Sequence, residues 1–157
     1  MRATLFLAMV MSIIAASAVA ATVVPGIAIH STKGQFDEVK ERAVMAIENR
    51  GMVLNYTAHV GEMLERTGKD LRRERRIYTR AEVLEFCSAT LSRDTMEADV
   101  RNIVFCPYTI AIYALPNEPG TVYVSYRKPA AIGSGQSIKA LRAVEKLLED
   151  IVGEALK

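Results

Sequence analysis

The sequence contains no tryptophan and only two cysteines, Cys87 and Cys106, among its 157 residues. Two cysteines are far too few for a small fold that is held together by disulfides. Their spacing matches neither the Cys-x-x-Cys motif of thioredoxin-like proteins nor the Cys-x-x-Cys-His motif that attaches c-type haem. The sequence therefore argues against a disulfide scaffold, a thioredoxin-like mechanism and covalent haem attachment.

The common catalytic and phosphate-binding motifs are also absent from the sequence. It has no glycine-rich phosphate loop, no His-Glu-x-x-His and no Gly-x-Ser-x-Gly, and its acidic residues form no recognisable catalytic pair. The formal net charge is only +2, which gives no overall attraction to nucleic acid. We therefore expect no enzymatic activity, no catalytic residues, no nucleic-acid partner and, in the favoured interpretation, no cofactor or metal.

Residues 1–20 have the layout of a secretory signal peptide. A positive charge at Arg2 precedes an apolar run from Leu5 to Ala16, and small residues then form an Ala-x-Ala cleavage site that ends at Ala20. The strongly apolar stretch is about a dozen residues, shorter than the ~20 that a membrane-spanning helix needs. We therefore expect cleavage after Ala20 and a periplasmic or secreted protein with no stable membrane insertion.

Residues 21–157 predict a single α+β domain. Apolar residues at helical spacing predict two long helices, at residues 35–50 and at the C-terminus, where Ser137 is the expected cap. Two short helices are predicted, one at residues 60–71, broken near Gly68, and one at residues 91–99 with Ser92 as its cap. Strands are predicted at residues 26–32, 52–59, 81–89, 103–115 and 121–127. The pattern predicts a two-layer sandwich in which helices cover a roughly five-stranded, mixed or mainly antiparallel sheet.

The two cysteines have three interpretations that depend on strand pairing. If strands 81–89 and 103–115 are antiparallel neighbours, Cys87 lies opposite Cys106 and a disulfide there would stabilise the fold by about 3 kcal/mol. In a parallel crossover the two residues would lie at opposite ends of their strands. A structural disulfide is the favoured interpretation, and the alternatives are two buried inert thiols or a redox or metal site.

Two further groups of residues are candidates for binding. His59 and Met63 are four residues apart, so on a helix they share a face and can ligate a haem iron or a copper ion. The competing interpretation gives Met63 a packing role and His59 a role at the end of a strand. If the first two strands are neighbours, His30 converges with His59. The densest charge run is either a contact for an anion or an acidic partner, or a solvated connector; its basic residues are Arg72, Arg73, Arg75 and Arg76.

Residues 26–126 resemble the domain-of-unknown-function 302 family. The segment STKGQFDEVKERAVMAIENRGMVL is similar to the family's succession of strand, lysine–glycine turn, helix, Arg-Gly and strand. VLEFCSATL occupies the place of a strand that ends in a Phe-Gly-Asn-Pro-like turn, and VFCPYTIAIY with VYVSY is similar to a Leu-Pro-led strand and a final hairpin. Cys87 and Ser88 replace the usual glycine and asparagine, and Phe105 and Cys106 precede the proline. The chain therefore resembles an exported, cysteine-bearing branch of that family.

The resemblance implies a small α+β domain that is often a homodimer. It implies no activity and no functional residues, although some relatives are joined to haem-bearing cytochrome segments. We therefore expect an exported, non-catalytic module that binds a small ligand or a redox protein of the cell envelope. The alternative is a haem- or copper-binding protein for electron transfer or sensing that uses His59 and Met63.

Overall fold

The computed structural model describes residues 22–157, so the predicted signal peptide lies outside the described residues. The strands are β1 (Thr22–Val24), β2 (Ile27–Lys33), β3 (Leu54–Ala58), β4 (Arg80–Phe86), β5 (Tyr108–Ala114) and β6 (Thr121–Arg127). The helices are α1 (Phe36–Glu48), α2 (Val60–Asp70), α3 (Ala89–Ala98) and α4 (Gly135–Ala155), with a 3-10 helix at Val100–Phe105. None of these helices is both long enough and apolar enough to cross a membrane.

The strands form one antiparallel sheet in the order β1-β2-β6-β5-β4-β3. The predicted two-layer α+β sandwich is confirmed. The sheet has one more strand than the five that were predicted, because the three residues of β1 pair with β2 at one edge. The other edge is β3, which pairs with β4 through an irregular register between Leu54 and Tyr56.

The core lies between one face of the sheet and helices α1 and α4. Alternate residues of the central strands, such as Leu84, Ile110 and Val124, are fully buried, as period-2 side-chain alternation requires. Val39 of α1 and Val144 of α4 meet them from the helix layer. Burial of each such side chain contributes about 1.5–3 kcal/mol. These contacts hold the strand ends in fixed positions around the sites described below.

The predicted strand over residues 103–115 is wrong in its first part. Residues Val100–Phe105 form a 3-10 helix, the Cys106–Pro107 bond is cis, and β5 begins only at Tyr108. The side chain of Asp99 accepts a hydrogen bond from the backbone N–H of Arg101, which caps this helix. Pro107 has no N–H to donate to a sheet. An apolar run that looked like one central strand is therefore two elements.

Both predicted helix caps are also displaced by one turn. The hydroxyl of Ser88, not of Ser92, accepts a hydrogen bond from the N–H of Leu91 at the start of α3. At the start of α4 the hydroxyl of Ser134 accepts the N–H of Ser137, 3.2 Å away. Ser137 itself is fully buried in the first turn. Each predicted cap is thus a residue inside its helix.

Candidate functional site

The two cysteines lie side by side where β4 ends and β5 begins. Phe86 of β4 pairs with Tyr108 of β5, which confirms the antiparallel neighbours on which the cysteine pairing depended. The Sγ atoms of Cys87 and Cys106 are 3.1 Å apart, and both side chains are half-buried. At this distance the sulfurs are thiols, because a disulfide measures about 2.05 Å. The disulfide itself stays a prediction, and it requires only a small approach of two atoms that already touch.

The surroundings of Cys87 make it a weak nucleophile. Burial, followed by the hydrogen bond and charge of Cys106, raises the pKa of Cys87 to about 11, although hydrogen bonds from the side chain of Asn55 and the backbone of Tyr108 oppose the shift. The thiolate is the form that attacks disulfides and binds metals, so a raised pKa makes Cys87 less reactive.

A short polar network extends from Cys106 into the helix layer. The hydroxyl of Ser92 lies 3.7 Å from the sulfur of Cys106 and 3.4 Å from the phenol oxygen of Tyr108. The Tyr108 ring packs edge-on against Phe86, and burial raises the pKa of its hydroxyl. Among these described side chains there is no histidine or carboxylate to act as a general base near neutral pH. The network joins the polar groups of Ser92, Cys106 and Tyr108 where α3 packs against the start of β5.

The 3-10 helix directly before Cys106 presents an apolar patch, defined here as Val100, Ile103 and Val104. Their exposed fractions are 77%, 62% and 74%, so half of this six-residue helix exposes a large apolar side chain to solvent. Single exposed apolar residues are ordinary on a protein surface, whereas a contiguous group indicates a contact surface. The three side chains thus form an exposed apolar surface at this end of the sheet.

A cleft of about 230 Å³ adjoins the patch. Val104, Phe105 and Pro107 line its apolar side, while Arg127 and Lys128 at the end of β6 line its basic side. Lys128 lies 3.6 Å from Glu145, which partly neutralises it, and Arg127 is exposed. The cleft and the patch together form an apolar surface with a basic rim.

The structure also brings His59 and Met63 together. His59 immediately precedes α2, and the backbone N–H of Met63 donates to the carbonyl of His59 over 3.1 Å. Both side chains line an open groove of about 550 Å³ with Tyr56 and Arg66, which is called the α2 groove below. The sulfur of Met63 lies 4.0 Å from the hydroxyl of Thr67, and ligation of haem or copper by His59 and Met63 stays a prediction.

His30 does not lie near His59, because the strand pairing on which their convergence depended does not occur. His30 lies in β2 opposite Val124 of β6, whereas His59 follows β3 at the far edge of the sheet. Strands β6, β5 and β4 lie between them. The first two predicted strands, β2 and β3, are not neighbours because β2 pairs with the last strand.

The arginine run forms an exposed loop between α2 and β4. Its backbone is anchored where the N–H of Arg73 donates to the carbonyl of Gly68 over 2.7 Å, and Arg76 donates to the carbonyl of Thr79. A groove of about 380 Å³ is lined by Arg73, Arg75 and Arg76 but not by Arg72. Contact of this loop with an anion or an acidic partner stays a prediction.

A buried carboxylate beside the α2 groove was missed by the sequence interpretation. Glu82 of β4 forms ion pairs with Lys40 at 2.5 Å and with Arg80 at 3.0 Å, and only 7% of its side chain is exposed. Burial raises its pKa, but the hydrogen bonds from Lys40 and Arg80 outweigh burial, so the pKa of Glu82 lies below its usual value. The alternation of side chains along β4 could have predicted its burial, because Glu82 lies on the same face of the strand as the buried Leu84 and Phe86.

Comparison with known proteins gives a family and a fold. The family model described as "Domain of unknown function DUF302" matches residues 27–155. A solved structure, the crystal structure of an uncharacterized conserved DUF302 protein from Bacillus stearothermophilus, is 16% identical and has a TM-score of 0.70, covering 85% of this chain and 100% of that chain. At this identity the likeness shows the fold alone. No protein of curated function matches the sequence.

Proposed function

The chain belongs to the DUF302 family, and on that premise we propose that it is an exported, non-catalytic module that binds a redox protein of the cell envelope. The observation that carries this proposal is the exposed apolar patch directly before Cys106. Export rests on the signal-peptide pattern of residues 1–20. In an oxidising compartment the cysteine pair closes as a disulfide.

The patch supports binding because its burial would release free energy. Full burial of a valine or isoleucine side chain is favourable by about 1.5–3 kcal/mol, and Val100, Ile103 and Val104 are each more than half exposed. Arg127 and Lys128 add a basic rim, which favours a partner whose contact surface is apolar with acidic residues around it. Charges at such a rim steer the approach of a partner more than they hold it.

In this proposal the cysteine pair fixes the position of the apolar patch. Cys106 follows the last residue of the 3-10 helix, and Cys87 follows the last residue of β4. A bond between them ties the patch to the rigid sheet, so that less conformational freedom is lost when a partner binds. The raised pKa of Cys87 favours this structural role over thiol exchange with the partner.

Haem or copper binding through His59 and Met63 is the alternative function, and it is supported by the groove that both residues line. A homodimer remains a proposal, and the apolar patch is the surface on which a second copy competes with the redox partner.

In-cell crosslinking at the patch tests the proposed function. A photo-crosslinking phenylalanine analogue replaces Val104 in the full chain with its own signal peptide, and a matched chain carries it at Met45, which is 52% exposed on α1. We expect a thiol- or haem-bearing envelope protein to be crosslinked at position 104 and not at position 45.

Calorimetric titration with the crosslinked protein completes the test. Val104→Asp should weaken binding at least about tenfold, because it places a charge at an apolar contact, whereas Met45→Asp should leave affinity unchanged. Crosslinks only between copies of this chain would assign the patch to a homodimer and remove the redox partner. Equal affinity of the Val104→Asp variant and the unchanged protein would overturn the patch as the contact surface.

A further inference from the structure

The α2 groove is lined by two soft or borderline metal ligands, His59 directly before α2 and Met63 in its first turn. His59 and Met63 both line it, with exposed side-chain fractions of 52% for His59 and 42% for Met63. Side chains four residues apart on a helix are neighbours, the spacing at which paired histidines bind zinc. Within residues 22–157 no cluster of three or more His, Cys, Asp or Glu side chains can hold a metal, so a thioether is the distinguishing donor of this groove.

We propose that His59 and Met63 form a surface site for monovalent copper. A thioether sulfur binds soft ions and contributes little to hard ions such as Mg²⁺ or Ca²⁺. Imidazole binds copper in either oxidation state. The donor pair therefore selects Cu(I) over the hard cations, and the exposed groove leaves the remaining coordination positions to solvent or to a ligand from another molecule.

The acidic residues around His59 determine which of its nitrogens faces the metal. The Nδ1 atom lies 3.9 Å from Oε1 of Glu82 and 4.0 Å from Oε1 of Glu62, too far for hydrogen bonds but close enough for electrostatic attraction. A carboxylate beside one ring nitrogen favours the proton there and leaves the other nitrogen, Nε2, as the ligand. Glu82 is already balanced by Lys40 and Arg80, so the exposed Glu62 supplies the unbalanced negative charge.

Met63 must turn to complete the site. Its sulfur lies 4.0 Å from the hydroxyl of Thr67, which donates to the carbonyl of Met63 over 2.8 Å. Because the side chain is unbranched and exposed, rotation toward His59 breaks no core packing. The site therefore assembles from one fixed ligand, at the start of α2, and one mobile ligand.

The thiols of Cys87 and Cys106 are the rival copper ligands, so the test must separate the two sites. Cu(I) is titrated anaerobically into the purified mature chain against bicinchoninate, a chromophoric competitor. The same titration uses the Cys87→Ser/Cys106→Ser chain, in which no thiol remains. We expect one Cu(I) per chain to be held in the double variant.

Substitutions at the groove then assign the ligands. In the double variant, His59→Ala and Met63→Leu should each weaken Cu(I) binding at least about tenfold, since even the loss of a residue that only supports a ligand costs that much. Met45→Leu is the matched control, because Met45 is 52% exposed on α1, away from the groove. Met63→Leu should change Cu(II) affinity far less than Cu(I) affinity, which a purely structural effect would not produce.

Three results would overturn the site. The first is that the chain with both cysteines retains no Cu(I). The second is that replacement of the cysteines alone abolishes Cu(I) retention. The third is that Met45→Leu weakens Cu(I) binding as much as Met63→Leu does. Circular dichroism of each variant confirms that the fold is intact. None of these results bears on the apolar patch, which lies at the other end of the sheet.

Discussion

The side-chain amide of Asn102 donates hydrogen bonds to the hydroxyl of Ser137 at 2.9 Å and to the carbonyl of Thr95 at 2.8 Å. One buried residue thus joins the 3-10 helix, α3 and the first turn of α4. The apolar patch is carried by the same 3-10 helix, so its position depends on this buried contact as well as on the cysteine pair.

Asn102→Ala should therefore destabilise the protein. The substitution leaves the Ser137 hydroxyl and the Thr95 carbonyl buried without this donor, at a cost of about 1–3 kcal/mol in the free energy of unfolding. Urea denaturation measures the change. Asn117→Ala, in the exposed turn between β5 and β6, is the control and should cost far less. Equal losses in both variants would contradict the linking role of Asn102.

Gly61→Ala should also destabilise, by about 1–3 kcal/mol, through overpacking. A Cβ atom at Gly61 would lie 2.8 Å from the backbone nitrogen of Ala81, and backbone cannot move aside as a flexible side chain can. Gly153→Ala is the matched helical control. A Cβ at Gly153 meets nothing within 4 Å, so the alanine should stabilise α4 by about 0.5–1 kcal/mol. In thermal denaturation we expect Gly61→Ala to lower the melting temperature and Gly153→Ala to raise it. A change of the same sign in both variants would refute the close approach of Gly61 to Ala81.

The cysteine pair predicts a redox-dependent stability. In protein exported through its own signal peptide, Cys87→Ser should lower the free energy of unfolding by about 3 kcal/mol, because the chain between the cysteines is no longer closed. Cys106→Ser should have the same effect, since either substitution removes the same bond. With a reductant present, the variants and the unchanged protein should melt within a few degrees of each other. If the variants and the unchanged protein differ in stability by the same amount with and without reductant, the disulfide is excluded.

Glu82 predicts the stability of the protein in acid. Its pKa is lower in the folded chain than the value of about 4.3 expected when unfolded. Its stabilising effect is therefore complete above the unfolded-state pKa and is lost as the pH falls through the folded-state pKa.

Glu82→Gln tests this dependence. At pH 7 the variant should lose about 2 kcal/mol, reduced from the 3–5 kcal/mol of a fully buried pair because Lys40 and Arg80 remain partly exposed. When unfolding is followed in urea, the difference in the free energy of unfolding between the variant and the unchanged protein should become smaller toward pH 3. The exposed Glu41→Gln serves as control. A gap that stays constant across this range would show that the Glu82 charge is not the cause.

Local patterns were sufficient to predict the long helices, but they left the pairing of the cysteine strands open. The apolar stripe of α1 repeats at helical spacing, and Gly51, with a φ of 70°, follows the helix in the left-handed conformation that ends many helices. Whether Cys87 and Cys106 are neighbours depended on the choice between an antiparallel and a parallel connection, and the antiparallel pairing of β4 with β5 decides it.

The failures lie where distant residues decide the structure. His30 and His59 belong to consecutive predicted strands, but β2 pairs with β6, a strand about ninety residues further along. Ile103 and Val104 belong to an apolar run whose length suggested a buried strand, yet they are exposed together with the preceding Val100, because Asp99 and Asn102 fix a helix there. Burial of these residues is decided by tertiary contacts, which periodicity does not encode.

Both borders of the sheet are poor templates for an incoming strand. At one border β1 offers only three residues, and at the other the ladder of β3 is interrupted between Leu54 and Tyr56. Where β3 ends, Gly61 brings α2 directly against the backbone of Ala81, so the start of β4 is covered as well. Short, irregular or covered borders discourage the backbone pairing between molecules that leads to amyloid-like aggregation. A protein present at high concentration gains protection from fibril formation in this way.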